Sequence, residues 1–274
     1  MQFALLAALL WGCGAVIGKY SLKRISPSVM LPAYLTGIVL VYLPAWLLFG
    51  KPFPPSGYLI PTLSEGSAAL AFIFYYHALE KGPVSLILPI TSAYLVMVLL
   101  WGRFFYGDIL SFQEWLAIGF MLSGVFLLST GKDSRKGEGW LLPVLISTFL
   151  WGIWGGLSKL SLTFIPPITL NLYFVFIALP LWLGYFLLHR QRRMDKKGYG
   201  WGAFSGAMSS VGSIFFYFAL TRGKTSLIFP VSNTYPAFAF FLGILMKERP
   251  GAVSYTHLRA HETRHDLVCR LLLE

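Results

Sequence analysis

Charge is scarce in this sequence. Only 12% of its 274 residues are Asp, Glu, Lys or Arg, about half the share of an ordinary soluble domain. Acidic residues are rarer still, 11 against 22 basic ones. Cysteine occurs twice, at Cys13 and Cys269, which excludes a disulfide framework and a four-cysteine zinc site. What fills the chain instead is apolar: 56% hydrophobic residues and a mean hydropathy of +0.67. That is more than one soluble core can bury, so a lipid bilayer must take up the excess. The 27 glycines, 9 tryptophans and 14 tyrosines suit close helix packing and rings at a lipid-water interface. The net charge of +11 does not point to nucleic acid, because the basic residues are scattered through short connectors between apolar blocks.

Those blocks have the length of membrane spans, about 20 residues each. They cover residues 2–20, 29–50, 58–79, 84–106, 112–130, 139–162, 168–188, 199–220 and 225–246. Turn and charge signals separate them, as in Lys23-Arg24-Ile25-Ser26-Pro27 and Glu80-Lys81-Gly82-Pro83. Long apolar runs without strand alternation read as helices, because in lipid the backbone must satisfy its own hydrogen bonds. The first block lacks a preceding basic stretch and ends at Lys19 without a small-residue cleavage site, so it reads as a helix and not as a secretory leader.

The sequence also repeats itself. Trp11-Gly12, Lys19, Ser21-Leu22 and Pro27 match Trp151-Gly152, Lys159, Ser161-Leu162 and Pro167 without gaps. Further on, Tyr76, Ala78-Leu79, Gly82, Ser85-Leu86-Ile87, Pro89 and Tyr94 match Tyr217, Ala219-Leu220, Gly223, Ser226-Leu227-Ile228, Pro230 and Tyr235, with the offset longer by one. Five helices per unit is an odd number, so the second unit enters the membrane from the opposite side. This all-α, inverted-repeat plan is that of secondary transporters, with binding near the midplane. Two such units, 1–131 and 139–251, each opening into Trp-Gly with a lysine two turns later, resemble the EamA-type members of the drug/metabolite transporter superfamily. The Ala-Leu-x-x-Gly-x-x-Ser-x-x-x-Pro stretch in each unit does so too. The resemblance implies ten helices around a central cavity, lined mainly by the first, third and fourth helices of each unit.

The last of those ten helices is not found. After Met246-Lys247-Glu248-Arg249 the chain turns polar, and the few apolar residues after Asp266 are interrupted by Arg270, too short to span. Residues 253–263 and 266–274 resemble the in-frame translation of a transposon-type sequencing adapter, so residues 252–274 are expected to be a non-native tail. This tail holds His261-Glu262-Thr263-Arg264-His265, the H-E-x-x-H form in which a helix offers two histidines to zinc. Without a helical setting or third ligand it is read as fortuitous, and no metal or cofactor is expected.

Few ionisable groups stand inside the spans. Lys19 and Lys159 hold equivalent repeat positions, either as a pair attracting an anionic substrate group from opposite mouths of a cavity or as stems that lift their ammonium to the interface. Glu65 is a carboxyl that burial would fit for proton carriage, or an interfacial residue. His77 is a packed or hydrogen-bonded histidine before it is a proton carrier. Tyr94, Asn233 and Tyr235 offer neutral hydrogen bonds to the expected cavity. Pro89 and Pro230 are expected bends in the fourth helices.

Orientation is read two ways. Connectors after odd-numbered helices hold thirteen Lys and Arg against four on the other side, which places the N-terminus outside, whereas the resemblance implies it is inside. The function expected is secondary transport of a small metabolite in the cell membrane by a multi-pass protein, with the bilayer and a second copy of the chain as further partners. The alternative is a receptor or structural membrane protein that inherited the fold. An enzyme would need a converging catalytic cluster at membrane depth, which the helical body lacks.

Overall fold

A computed structural model of the chain describes residues 1–81, 87, 90–113, 115–116, 118–120, 123, 139–189 and 193–245. These residues form no strand, and among them stand the helices α1 (Gln2–Leu22), α2 (Pro27–Phe49), α3 (Leu59–Lys81), α4 (Tyr94–Phe105), α5 (Leu141–Phe164), α6 (Pro167–Leu188), α7 (Lys196–Arg222), α8 (Thr225–Ser232) and α9 (Tyr235–Leu245), with further helical residues before α4 and within 112–123. Five of them, α1, α2, α5, α6 and α7, are long and apolar enough to cross a membrane. The α3 helix matches them in length but carries Ser64, Glu65, Ser67 and His77.

The helix ends follow from the residues placed there. Both α2 and α6 begin with a proline in the first turn, Pro27 and Pro167, where a missing N–H costs nothing and the fixed φ suits the helix. Asp195 caps α7, its carboxylate accepting from Gly198 N at 2.9 Å. Arg193 Nη2 donates to Leu22 O at 2.8 Å, satisfying a carbonyl at the end of α1. The turn into α2 and the entry to α7 are thereby tied together, and Ser26 N adds a bond to Arg193 O.

Packing reverses the soluble pattern. On α1 the small residues Ala4, Ala7, Ala8, Gly14 and Gly18 face inward, while Leu5, Leu6 and Leu9 face out. Lipid tails are as apolar as leucine, so helices gain most by bringing backbones close through small residues. The α7 helix carries this furthest, with Gly198, Gly202, Gly206 and Ser210 buried at four-residue spacing. A methyl group on Gly206 would lie 2.8 Å from the Tyr34 carbonyl carbon, and one on Gly37 2.6 Å from Ala207 N. Here α2 and α7 touch backbone to backbone.

The main pairings cross between the two halves of the sequence. The α1 helix lies along α7, and α5 lies along α3. The Trp11 ring lies 5.2 Å from Phe216, tilted by 42°, and its repeat mate Trp151 lies 5.1 Å from Tyr75, the residue matched to Phe216.

The fourth helices depart from the expected single spans. Residues 225–246, expected to be one helix, are interrupted at Asn233-Thr234 between α8 and α9, and a turn at Ala93 precedes α4. Thr91 Oγ1 donates to Ile87 O at 3.0 Å, and at the matched position Ser232 Oγ donates to Ile228 O at 2.6 Å. A hydroxyl bonded back to the carbonyl four residues earlier bends a helix. Past this point both segments tighten to three-residue bonds: Ala93 N to Ile90 O at 3.1 Å and Val96 N to Ala93 O at 3.1 Å, against Thr234 N to Val231 O at 3.2 Å and Ala237 N to Thr234 O at 2.9 Å. Continuous hydropathy hides such a change, because the side chains stay apolar while the backbone bonding shifts. Pro230 lies inside α8, one turn before its break, whereas Pro89, most of 112–130 and all of 252–274, with the 261–265 motif, fall outside the described residues.

Candidate functional site

The two breaks meet. Tyr94, the first residue of α4, points its hydroxyl at Asn233 Oδ1, 3.5 Å away in the break between α8 and α9. Asn233 is 3% exposed, yet its Nδ2 has no acceptor among the described residues. A buried amide donor normally finds a partner, so this position is ready for an acceptor on a bound molecule. Around it stand aromatic rings: Tyr94 lies 6.4 Å from Trp151, 6.5 Å from Trp154 and 6.4 Å from Phe229. Tyr235, half-buried, opens α9 just beyond.

Trp154 joins this aromatic wall to a carboxyl. Its Nε1 donates to Tyr217 Oη at 3.2 Å, and the Tyr217 hydroxyl donates to Glu65 Oε1 at 2.7 Å. Glu65 is 2% exposed, its carboxyl enclosed by protein. Tyr217 and Trp154 were not singled out as site residues from the sequence. Tyr217 was visible there as the mate of Tyr76, but spacing alone cannot show that it reaches a carboxyl 152 positions away.

The lysines are placed unequally. Lys159 is half-buried, its Nζ donating to Gly223 O at 3.1 Å, at the end of α7, and lying 5.7 Å from the centre of the Tyr106 ring. A cation there also suits the negative end of the helix dipole. Lys19 is exposed. His77 is half-buried on α3, about three turns beyond Glu65. Among the described residues, no three His, Cys, Asp or Glu side chains come together as a metal site would require.

Two further carboxylates serve helix starts. Asp108 Oδ2 accepts from both Ser226 N, at 2.9 Å, and Ser226 Oγ, at 3.0 Å, at the first turn of α8. Asp195, outside the spans, is held below the usual carboxylate range by the Gly198 N–H first, and then by Arg24, 3.4 Å away.

Apolar spanning helices packed through small residues, with broken helices around a buried polar cluster, define a multi-pass membrane transporter. The chain belongs to the EamA-like transporter family, which matches residues 1–130 and again 138–256, and whose members are transporters and not enzymes. An uncharacterized transporter from the cobO 3' region of a Sinorhizobium species is 25% identical over 132 residues, 46% of this chain and 94% of that one. An uncharacterized transporter from Archaeoglobus fulgidus is 27% identical over 191 residues, 67% of this chain and 66% of that one. A probable 4-amino-4-deoxy-L-arabinose-phosphoundecaprenol flippase subunit from Hamiltonella defensa is 36% identical over 59 residues, 22% of this chain and 53% of its own length. One solved crystal structure superposes with a TM-score of 0.77 at 16% identity, covering 99% of this chain and 96% of the other, and so shares the fold.

Proposed function

We propose that the protein is a secondary transporter that moves a small metabolite across the cell membrane by alternating access between two inverted five-helix units. The observation that carries this reading is the pairing of the breaks: matched hydroxyls at Thr91 and Ser232 precede matched three-residue turns, and Tyr94 meets Asn233 where they converge. Interrupted helices at corresponding positions of two repeats are where such transporters bind substrate. Tyr94, Asn233 and Tyr235 supply neutral hydrogen bonds to the bound molecule, and the surrounding rings cover its apolar part. Lys19 and Lys159 guide anionic groups toward opposite mouths. Pro230, one turn before the break in its unit, helps the halves rock.

Purified protein in lipid vesicles, loaded with a pooled set of labelled amino acids, sugars, nucleosides and carboxylic acids, should exchange at least one member in wild-type form. Asn233→Ala should lower this exchange by about tenfold, as expected for losing one substrate hydrogen bond in a buried site. Lys19→Ala and Lys159→Ala should slow anionic or zwitterionic members more than they reduce folded yield. Vesicles that move none of the pool would favour the receptor or structural reading.

A further inference from the structure

We propose that Glu65 is a proton site: it holds a proton while enclosed and releases it when its surroundings open to water, so that transport is coupled to proton movement. The inference rests on the transporter reading for its coupling, but not for the proton itself. Glu65 lies six residues inside α3 and is 2% exposed. The ion pair between Arg24 and Asp195 lies elsewhere, at the entry to α7, and the side chain that bonds the Glu65 carboxyl is the neutral Tyr217. A bare carboxylate in that setting is strongly disfavoured, because lipid and packed side chains cannot replace its water. A protonated carboxyl is neutral and fits.

The neighbours on the packed elements bring hydrogen bonds and apolar contacts. From α7, Tyr217 donates its hydroxyl to Oε1 at 2.7 Å. From α5, Trp154 supports Tyr217 through Nε1 at 3.2 Å, and Ser64 Oγ, next to Glu65, donates to Trp154 O at 3.4 Å. From α2, Tyr42 is a buried, neutral titratable side chain. From α6, Tyr173 is engaged with Thr62 at 2.6 Å, a turn earlier, and Ile177 is the side chain facing Gly66. On α3 itself, Tyr75, Tyr76 and His77 lie several turns on and Lys81 sits at the helix end. None of these places a positive charge against Glu65. The Tyr217 bond is a donor suited to either protonation state, so the site can lose its proton without losing its contact. Trp154 in turn borders the rings around Tyr94, 6.5 Å away, which links the proton site to the proposed substrate position.

Infrared difference spectra of the full chain in lipid vesicles, recorded between neutral and alkaline pH, read the proton directly. A protonated carboxyl carbonyl band should be present at neutral pH, disappear in Glu65→Gln, and move to higher frequency in Tyr217→Phe, which keeps the acid and removes its donor. With the pooled labelled metabolites, an imposed pH difference should drive accumulation in the wild type. Glu65→Gln should lose at least tenfold of that accumulation while keeping the wild-type folded yield and unfolding temperature. A carboxylate signal from Glu65 at neutral pH, or undiminished accumulation in Glu65→Gln, overturns the proposal. Failure of the wild type to carry any of the pool counts against transport, while the band still decides whether Glu65 holds a proton.

Discussion

Gly206 has no room for a side chain, and that single fact fixes how α2 crosses α7. A methyl there meets the Tyr34 backbone, with its carbonyl carbon at 2.8 Å and Cα at 3.0 Å, and backbone cannot step aside as a flexible side chain can. Gly206→Ala is therefore expected to cost about 1–3 kcal/mol, the usual range for overpacking. Gly200→Ala, on an exposed position of the same helix with nothing within 4 Å, should be neutral or gain about 0.5–1 kcal/mol from helix propensity. Thermal unfolding of both variants in one detergent separates the effects, and equal behaviour would refute the close crossing. A second residue, Asp195, makes a pH prediction. Its folded carboxyl titrates below its unfolded one because the Gly198 N–H stabilises the charge. Its contribution is complete above the ordinary carboxylate range and is lost as pH falls through the lowered value. Unfolding temperatures of wild type and Asp195→Asn should differ at neutral pH and converge in acid.

At the scale of the helix, the breaks in the two fourth helices are the distinctive feature. Their apolar character was legible in the sequence, as was the repeat that relates them, because hydropathy and ordered matches survive without knowledge of contacts. The break positions were not. Pro230 drew attention as the bend, whereas the ladder changes at Asn233-Thr234, after Ser232 has turned its hydroxyl back to Ile228. Serine in an apolar run gives no sign of whether its hydroxyl will face lipid, a neighbour or its own helix. Lys159 shows a similar limit: its repeat position was visible, but the carbonyl of Gly223 that receives its ammonium stands 64 residues away. If the α8 bend is used in gating, Pro230→Ala should lower turnover by about tenfold, a barrier rise of about 1.4 kcal/mol, with equal or higher thermal stability as a helix hydrogen bond returns. Loss of stability with turnover per folded molecule unchanged would assign the proline to packing alone.

At the scale of the whole molecule, the most extensive pairs among the described helices join the two halves and not neighbours within one. The α1 helix rests on α7 and α5 on α3, and Ser205 Oγ reaches Gly14 O at 2.7 Å. Cutting the chain within 131–138 and producing both pieces together should therefore restore a folded pair that co-purifies, since the pieces recognise each other through their largest surfaces. Either piece alone should be unstable in detergent and rapidly degraded. Independent folding of the first piece would contradict the crossed pairing. The same crossing sets an order of events during synthesis. Gly14 must wait for Ser205, 191 positions later, and at about 5–20 residues per second that interval lasts roughly 10–40 s. Throughout it, the small-residue side of α1 has only lipid or the insertion machinery for company. A ribosome pause inside α7 would prolong this exposure, so the codons that encode α7, though far from the start of the chain, govern how long its first helix remains open to proteases.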